Sequence, residues 1–194
     1  MNILVLGPQG SGKGTQAKRI KETYGVPHIA TGDMIREMKE RDTELGRQLR
    51  EVYDRGDLVS DELMIELIRD RLSRGDTLPG FILDGFPRTM PQAEALDELL
   101  DELDRSLDVV FEFQVPDREA LLERMLKRAA EEGRSDDTPE AIRRRLELYD
   151  RETAPLVDYY RSHHANVVGI HADRSIDEVF HEIQHSLGSV EARA

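Results

Sequence analysis

The sequence predicts an α/β fold: a five-stranded parallel sheet covered by helices on both faces. Three observations predict it. Short apolar runs alternate with amphipathic helical stretches, the order in which helical crossovers build a parallel sheet. The first apolar run passes through a glycine-rich turn straight into a helix. A chain of 194 residues is long enough for one such domain with a sizeable core.

The elements follow in order. Ile3-Leu4-Val5-Leu6 is uninterrupted apolar sequence and reads as a buried strand. Residues 13–24 read as a helix, and Pro27-His28-Ile29 as a short second strand. Residues 33–41 and 45–55 read as helices, broken near Asp42 and Gly46. Residues 62–74 form the next helix, with Ser60 placed to cap it. Phe81-Ile82-Leu83 is a strand that ends in Asp84, and residues 92–103 are helical. Residues 109–113 are rich in Val and Phe and read as a strand. Residues 117–130 are an amphipathic helix, and the polar stretch 131–137, with Gly133, reads as a loop. Thr138-Pro139 supplies a cap followed by a first-turn proline, opening a helix expected to run to about Arg161. Val167-Val168-Gly169-Ile170 is the last strand. Ser175-Ile176-Asp177-Glu178 is a capping box for the final helix, expected to fray after Leu187. There is no internal repeat and no low-complexity tract.

Composition excludes several classes. Without cysteine there is no disulfide framework and no thiolate zinc site. No apolar segment is long enough for a membrane span, and no basic stretch precedes an apolar one at the N-terminus, so a cytoplasmic protein is expected. The formal net charge of −13 makes nucleic acid an unexpected partner. The acidic excess reads as a solvated surface. It would repel a polyphosphate at long range unless basic residues gather locally. The basic residues are mostly arginine; the lysines are Lys13, Lys18, Lys21, Lys39 and Lys127.

The chemistry-bearing residues begin with Gly7-Pro8-Gln9-Gly10-Ser11-Gly12-Lys13-Gly14-Thr15-Gln16. Glycines let backbone N–H groups turn toward one point, the following helix presents its positive end, and Lys13 adds a full charge. A nucleoside triphosphate is the expected guest. The strict P-loop pattern places Ser or Thr directly after the lysine; here Gly14 stands there and Thr15 follows, so the magnesium role passes to Thr15 or to water. Asp84 ends an apolar strand whose C-terminal end faces the ligand crevice, where a carboxylate can hold magnesium directly or through water. Gly85-Phe86-Pro87-Arg88 is a tight turn that would aim Arg88 back over the strand ends, where it could grip a phosphate; the alternative is an exposed surface arginine. Thr89-Met90-Pro91-Gln92 also fits a capping box, and on pattern alone capping accounts for Gln92. Thr31-Gly32-Asp33 opens a helix that contains Arg36, again consistent with a cap. Arg124 and Arg128 share one helical face, Arg134 lies in the polar loop, and Arg143, Arg144 and Arg145 lie on the next helix, all equally readable as surface arginines.

In this order the motifs resemble the adenylate kinases over nearly the whole chain. The resemblance rests on residues 7–16, Thr31-Gly32-Asp33 with Arg36, Asp57-Leu58-Val59, Asp84-Gly85-Phe86-Pro87-Arg88 with Gln92, the Arg124/Arg128 pair, Gly133-Arg134-Ser135-Asp136-Asp137, and Arg145. It implies a P-loop NTPase-type fold: a core of residues 1–29, 75–128 and 138–194, a helical AMP-binding flap of residues 30–74, and a short lid of residues 129–137. It implies reversible transfer of the terminal phosphoryl group of Mg·ATP to AMP, giving two ADP, by a monomer. The ATP site would comprise Gly10, Ser11, Gly12, Lys13, Gly14, Thr15, Arg124, Arg134 and Arg174. The AMP site would comprise Thr31, Arg36, Asp57, Val59, Gly85, Arg88, Gln92 and Arg145. Lys13, Arg88, Arg128, Arg134 and Arg145 would act on the phosphates in flight. Thr15 and Asp84 would be magnesium partners, Asp84 through water. Some members of the family carry a long lid with zinc ligands; here the segment is short and lacks cysteine, so no zinc is expected. Gly14 in the Ser/Thr place is usual for the family.

Overall fold

The computed structural model describes residues 1–134, 136–163 and 166–191. Five strands are present, β1 Asn2–Leu6, β2 His28–Ala30, β3 Phe81–Asp84, β4 Val109–Gln114 and β5 Val167–His171. They form one all-parallel sheet in the order β2-β3-β1-β4-β5. The helices are α1 Lys13–Tyr24, α2 Thr31–Lys39, α3 Glu44–Asp54, α4 Asp61–Leu72, α5 Met90–Glu102, α6 Arg118–Glu132, α7 Pro139–Leu148, α8 Leu156–His163 and α9 Ile176–Glu191. The expected fold class is the one found.

The central strand is apolar at four successive positions because both its faces are covered. Ile3 and Val5 pack with Ala17 and Ile20 of α1 and with Val179, Ile183 and Leu187 of α9. Leu4 and Leu6 pack with Ile68 of α4, Leu96 and Leu100 of α5, and Leu156 and Tyr160 of α8. Strand side chains alternate between faces, so one run feeds two cores. Burying each such aliphatic side chain contributes about 1.5–3 kcal/mol.

The same topology makes the crevice. From β1 the chain moves through α1 toward β2; from β3 it crosses through α5 in the opposite direction to β4. Crossovers of one hand that run in opposite directions put their helices on opposite faces. The chain therefore parts between the C-terminal ends of β1 and β3. Val5 of β1 and Ala30 of β2 both stand in register with Asp84 at that end.

The caps read from the sequence form. Ser60 accepts from the Leu63 N–H, Thr138 from the Ala141 N–H, and Ser175 and Glu178 exchange hydrogen bonds as a capping box. Several boundaries differ from expectation by one or more residues, and four bear on the caps and turns. Thr89 caps α5, which starts at Met90 rather than Gln92. α2 begins at Thr31, two residues before the expected start. α6 runs to Glu132, past the expected end at residue 130, and stops where Gly133 takes a φ of 64°. α9 continues beyond Leu187 to Glu191.

One prediction fails outright. The single helix expected from Pro139 to about Arg161 is two helices, α7 and α8, joined by a π-helical turn at Tyr149–Thr153. Pro155 has no N–H and its ring crowds the carbonyl four residues back, so the α-helical ladder cannot pass it. The Ala154 N–H instead reaches five residues back to the Tyr149 carbonyl at 2.8 Å. No helix among the described residues is long and apolar enough to cross a membrane.

Candidate active site

The loop between β1 and α1 is shaped by backbone that glycine alone adopts readily. Gly10 and Gly12 have φ of 83° and 87°. A Cβ on Gly10 would stand 2.9 Å from the Leu121 carbonyl oxygen of α6. The Ser11 N–H donates to the Pro8 carbonyl at 3.2 Å, and Lys13 Nζ reaches back to the same oxygen at 3.3 Å. Gln9 Oε1, Ser11 Oγ and Gln16 Oε1 are buried here with no hydrogen-bond partner among the described residues. Burial pulls the Lys13 pKa below the ordinary lysine value; Arg88 and Arg128 add to this, against the pull of Asp84.

Asp84 lies beside the start of α1: a Cβ on Gly14 would meet its Oδ2 at 3.3 Å. A side chain there, as the strict P-loop pattern places after the lysine, would crowd that carboxylate and make it shift by a few tenths of an ångström. His28 Nε2 sits 3.3 Å from Asp84 Oδ2. Burial works against the charge of Asp84, but His28, Lys13 and Arg88 outweigh it and hold its pKa below the usual carboxylate range. Thr31 Oγ1 donates to the Asp84 carbonyl at 3.2 Å. So Thr31 tethers α2 to the strand end and does not cap its helix.

The turn after β3 is held from both sides. Gly85 has a φ of 85°, and a Cβ there would stand 2.6 Å from Thr31 Oγ1. Arg88 Nε donates to the Gly85 carbonyl at 2.7 Å, and Thr153, in the π-helical turn, donates to the Arg88 carbonyl at 2.9 Å. Gln92 Oε1 accepts from the Arg88 N–H at 2.8 Å while its Nε2 donates to Asp61 Oδ1 at 2.7 Å. The capping box is thus answered one residue early, by the N–H of Arg88. Burial is the main cause of a lowered Arg88 pKa, with Arg145 and Arg36 adding to it.

The other arginines approach from the helices. Arg36 Nη1 donates to the Tyr53 hydroxyl at 2.9 Å and Nη2 pairs with Asp33. Arg145 donates to Asp137, to Asp136 Oδ2 at 3.0 Å and to the Tyr53 carbonyl at 3.0 Å. Arg128 shares Asp137. Arg134 pairs with Glu132, Arg124 donates to the Ala172 carbonyl at 3.2 Å, and Arg174 donates to the His171 carbonyl at 3.3 Å. Asp57 accepts from Arg144 Nε at 2.9 Å.

These residues meet in two adjoining cavities. A cleft of about 630 Å³ is lined by residues 9–16, Arg36, Asp84, Gly85, Arg88, Arg124, Arg128, Arg134, Arg145 and Arg174. A second cavity, about 20 Å³, is lined by Thr31, Ile35, Tyr53, Asp57, Leu58, Val59, Met64, Gly85, Arg88 and Gln92. Every site residue expected from the sequence lines one or the other, and Gly85 and Arg88 line both. Ten Lys and Arg side chains face the large cleft against five Asp and Glu, in a chain of net charge −13. The local cationic charge that a polyphosphate needs is therefore present.

The sequence model of adenylate kinase matches residues 5–165. The chain is 46% identical to the adenylate kinase of Xanthomonas euvesicatoria pv. vesicatoria over 190 residues, 97% of this chain and all of that one. It is 50% identical to the adenylate kinase of Stenotrophomonas maltophilia over 160 residues, 82% of this chain and 85% of that one. With the adenylate kinase of Bifidobacterium longum it shares 49% over 179 residues, 92% and 95% of the two chains.

The chain belongs to the adenylate kinase family. It is an enzyme of ATP:AMP phosphotransfer, and its substrates are adenine nucleotides.

Several residues of this adenylate kinase site had no role in the sequence reading. Tyr53 gathers Arg36, Arg145 and Lys39, the last two near its ring face at 4.9 and 5.4 Å from the centroid. Nothing local marks it, since a tyrosine on an amphipathic helix reads as core. Asp136 and Asp137 are 2% and 4% exposed and hold the arginines. Their adjacency in a Gly-Arg loop was the available signal. Ser135, quoted with them in the motif, lies outside the described residues.

Proposed function

We propose that the large cleft takes Mg·ATP, the small cavity takes AMP, and the terminal phosphoryl group passes in line between them without a general base. The observation that carries this reading is Arg88, the one guanidinium among the described residues that lines both cavities. A cation there can bridge the phosphates of donor and acceptor and neutralise charge where it accumulates. The P-loop from Gly10 to Thr15 cradles the ATP phosphates, and Lys13, Arg124, Arg134 and Arg174, which line the same cleft, complete the ATP site. Arg36, Arg88 and Arg145 hold the AMP phosphate. Arg128 lies between donor and acceptor.

The AMP phosphate has a second pKa near about 6 and is mostly dianionic at neutral pH, so it needs no base. Two polyanions must be brought together, and positioning plus electrostatic stabilisation does this. Adenine of AMP enters between Thr31, Val59 and Gln92. A space of about 20 Å³ does not admit a base, so its walls must part. One wall is Thr31, Ile35, Tyr53, Asp57, Leu58, Val59 and Met64; the other is Gly85, Arg88 and Gln92. That division supports a flap of residues 30–74 that closes over a fixed core, while the lid of residues 129–137, which lends Glu131, Glu132, Arg134 and Asp137 to the large cleft, would close on the ATP side and exclude water.

Asp84 and Thr15 are the donors for magnesium, Asp84 through water. The fit is chemical: Asp84 stays ionised beside the cradle, and among the described residues no cluster of three His, Cys, Asp or Glu offers a protein-only cage. One carboxylate and one hydroxyl suit a hard cation that keeps waters and phosphate oxygens as its other ligands. When bound, magnesium supplies charge neutralisation on the ATP phosphates.

The test is a bisubstrate assay with ATP and each of AMP, GMP, CMP and UMP, with and without magnesium. ADP formation that requires both AMP and magnesium is expected. Equal rates with all four acceptors would sink the AMP cavity, and tight ATP binding without transfer would sink the reaction.

A further inference from the structure

The α2 helix carries one lysine in an unusual place. Lys39 is 4% exposed, although lysine is almost never fully buried unless paired. Its Nζ lies 2.5 Å from Asp54 Oδ1 at the end of α3 and 3.9 Å from Asp136 Oδ1 in the loop after α6. The other oxygen of Asp136 accepts from Arg145. One carboxylate is thus shared by two cations, an oxygen each, one from α2 and one from α7.

We propose that Lys39 is a positioning residue, a strut that latches the flap to the lid loop and fixes the carboxylate that seats Arg145 in the cleft. The inference rests on the reading that Arg145 meets substrate phosphate and that flap and lid close together. Asp54 alone, with a side chain 41% exposed, would satisfy the ammonium at the surface. Carrying it inward beside Asp136, whose side chain is 3% exposed, costs desolvation that only a well-placed pair offsets. That pair joins α2 of the flap to the lid loop. A contact made only when flap and lid are together favours the closed, nucleotide-bound form, so its loss weakens binding more than chemistry.

The test is steady-state kinetics, with AMP varied at saturating ATP, on Lys39→Met, Lys39→Arg, Asp136→Asn and the double variant Lys39→Met/Asp136→Asn, each with a thermal melt. Lys39→Met is expected to raise KM for AMP about tenfold, the effect of one lost charge pair, with kcat within about threefold of the parent. Lys39→Arg should bring KM back to within about threefold, since a cation is restored. The double variant should be no worse than Asp136→Asn, because Lys39 acts through that carboxylate. A KM within twofold of the parent in folded Lys39→Met overturns the strut, and so do losses that multiply in the double variant. If Lys39→Met does not fold, Lys39→Gln takes its place with the same expectations. Arg145→Lys separates this inference from the reading beneath it. Parental kcat/KM in Arg145→Lys removes the phosphate role of Arg145 and the strut with it. A large loss there beside a silent Lys39→Met overturns the strut alone.

Discussion

Arg145 donates a guanidinium nitrogen to the backbone carbonyl of Tyr53, 3.0 Å away and 92 residues earlier in the chain. The bond ties α7 to the end of α3, and both residues line the cleft. Arg145 and Arg128 rest on Asp137, and Arg145 also on Asp136. Under the proposed function, phosphate entering the cleft would meet cations already aimed by these carboxylates, so little reorganisation would remain for the transition state.

Lys13 is the first place to test the cradle. Lys13→Met should fold, with a melting temperature at or above that of the parent. Its buried charge is disfavoured by desolvation and by Arg88 and Arg128. Its kcat/KM should fall about 10²–10³-fold, the usual loss for a preorganised charge donor. Initial rates and a thermal melt on one preparation measure both, and normal turnover would break the assignment of Lys13 to the phosphates.

Arg88→Ala should lower kcat/KM by about 10²-fold or more, equivalent to roughly 3 kcal/mol for a buried charge-assisted contact. Because Arg88 lines both cavities, KM for ATP and for AMP should both rise. A variant within twofold of the parent would refute the bridging role.

Gly85→Ala should cost about 1–3 kcal/mol of stability, because the new Cβ both takes a left-handed φ and meets Thr31 Oγ1. Denaturant midpoints check this. Adding Thr31→Ala should recover the steric part of the loss and leave the backbone part, so the two substitutions should not be additive. Additive losses would mean the close approach costs nothing.

Asp136 carries a pH dependence with a definite sign. Burial opposes its charge, but Arg145, with Lys39 and Arg36, outweighs burial and holds its pKa below the ordinary value. A folded pKa below the unfolded value of about 3.9 gives stabilisation that is complete above that value. It is lost as pH falls through the lower folded pKa. Asp136→Asn should therefore lower the melting temperature at neutral pH and flatten its fall below about pH 4. Melting curves from pH 2.5 to 7 measure it, and parallel acid limbs would exclude a stabilising charge on Asp136.

What the sequence determined by itself is what neighbouring residues decide among themselves. The apolar run before Gly7, the glycines that must turn, Lys13 at the head of α1, Asp84 at the end of β3, and the caps at Ser60, Thr138 and Ser175 all act over a few residues. They were legible for that reason. Pro155 was equally visible, and what was missed was its consequence: the π-helical turn that brings Thr153 to the Arg88 carbonyl depends on what packs beside it. Only tertiary structure decided the order of the strands, the choice of Arg88 to line both cavities, the burial of Lys39, and the gathering of Arg36, Arg145 and Lys39 around Tyr53. A charged side chain reads the same on any helix face until another element removes its water. Which element does so is set by packing between segments tens of residues apart, where hydrophobic burial is large but carries no local mark.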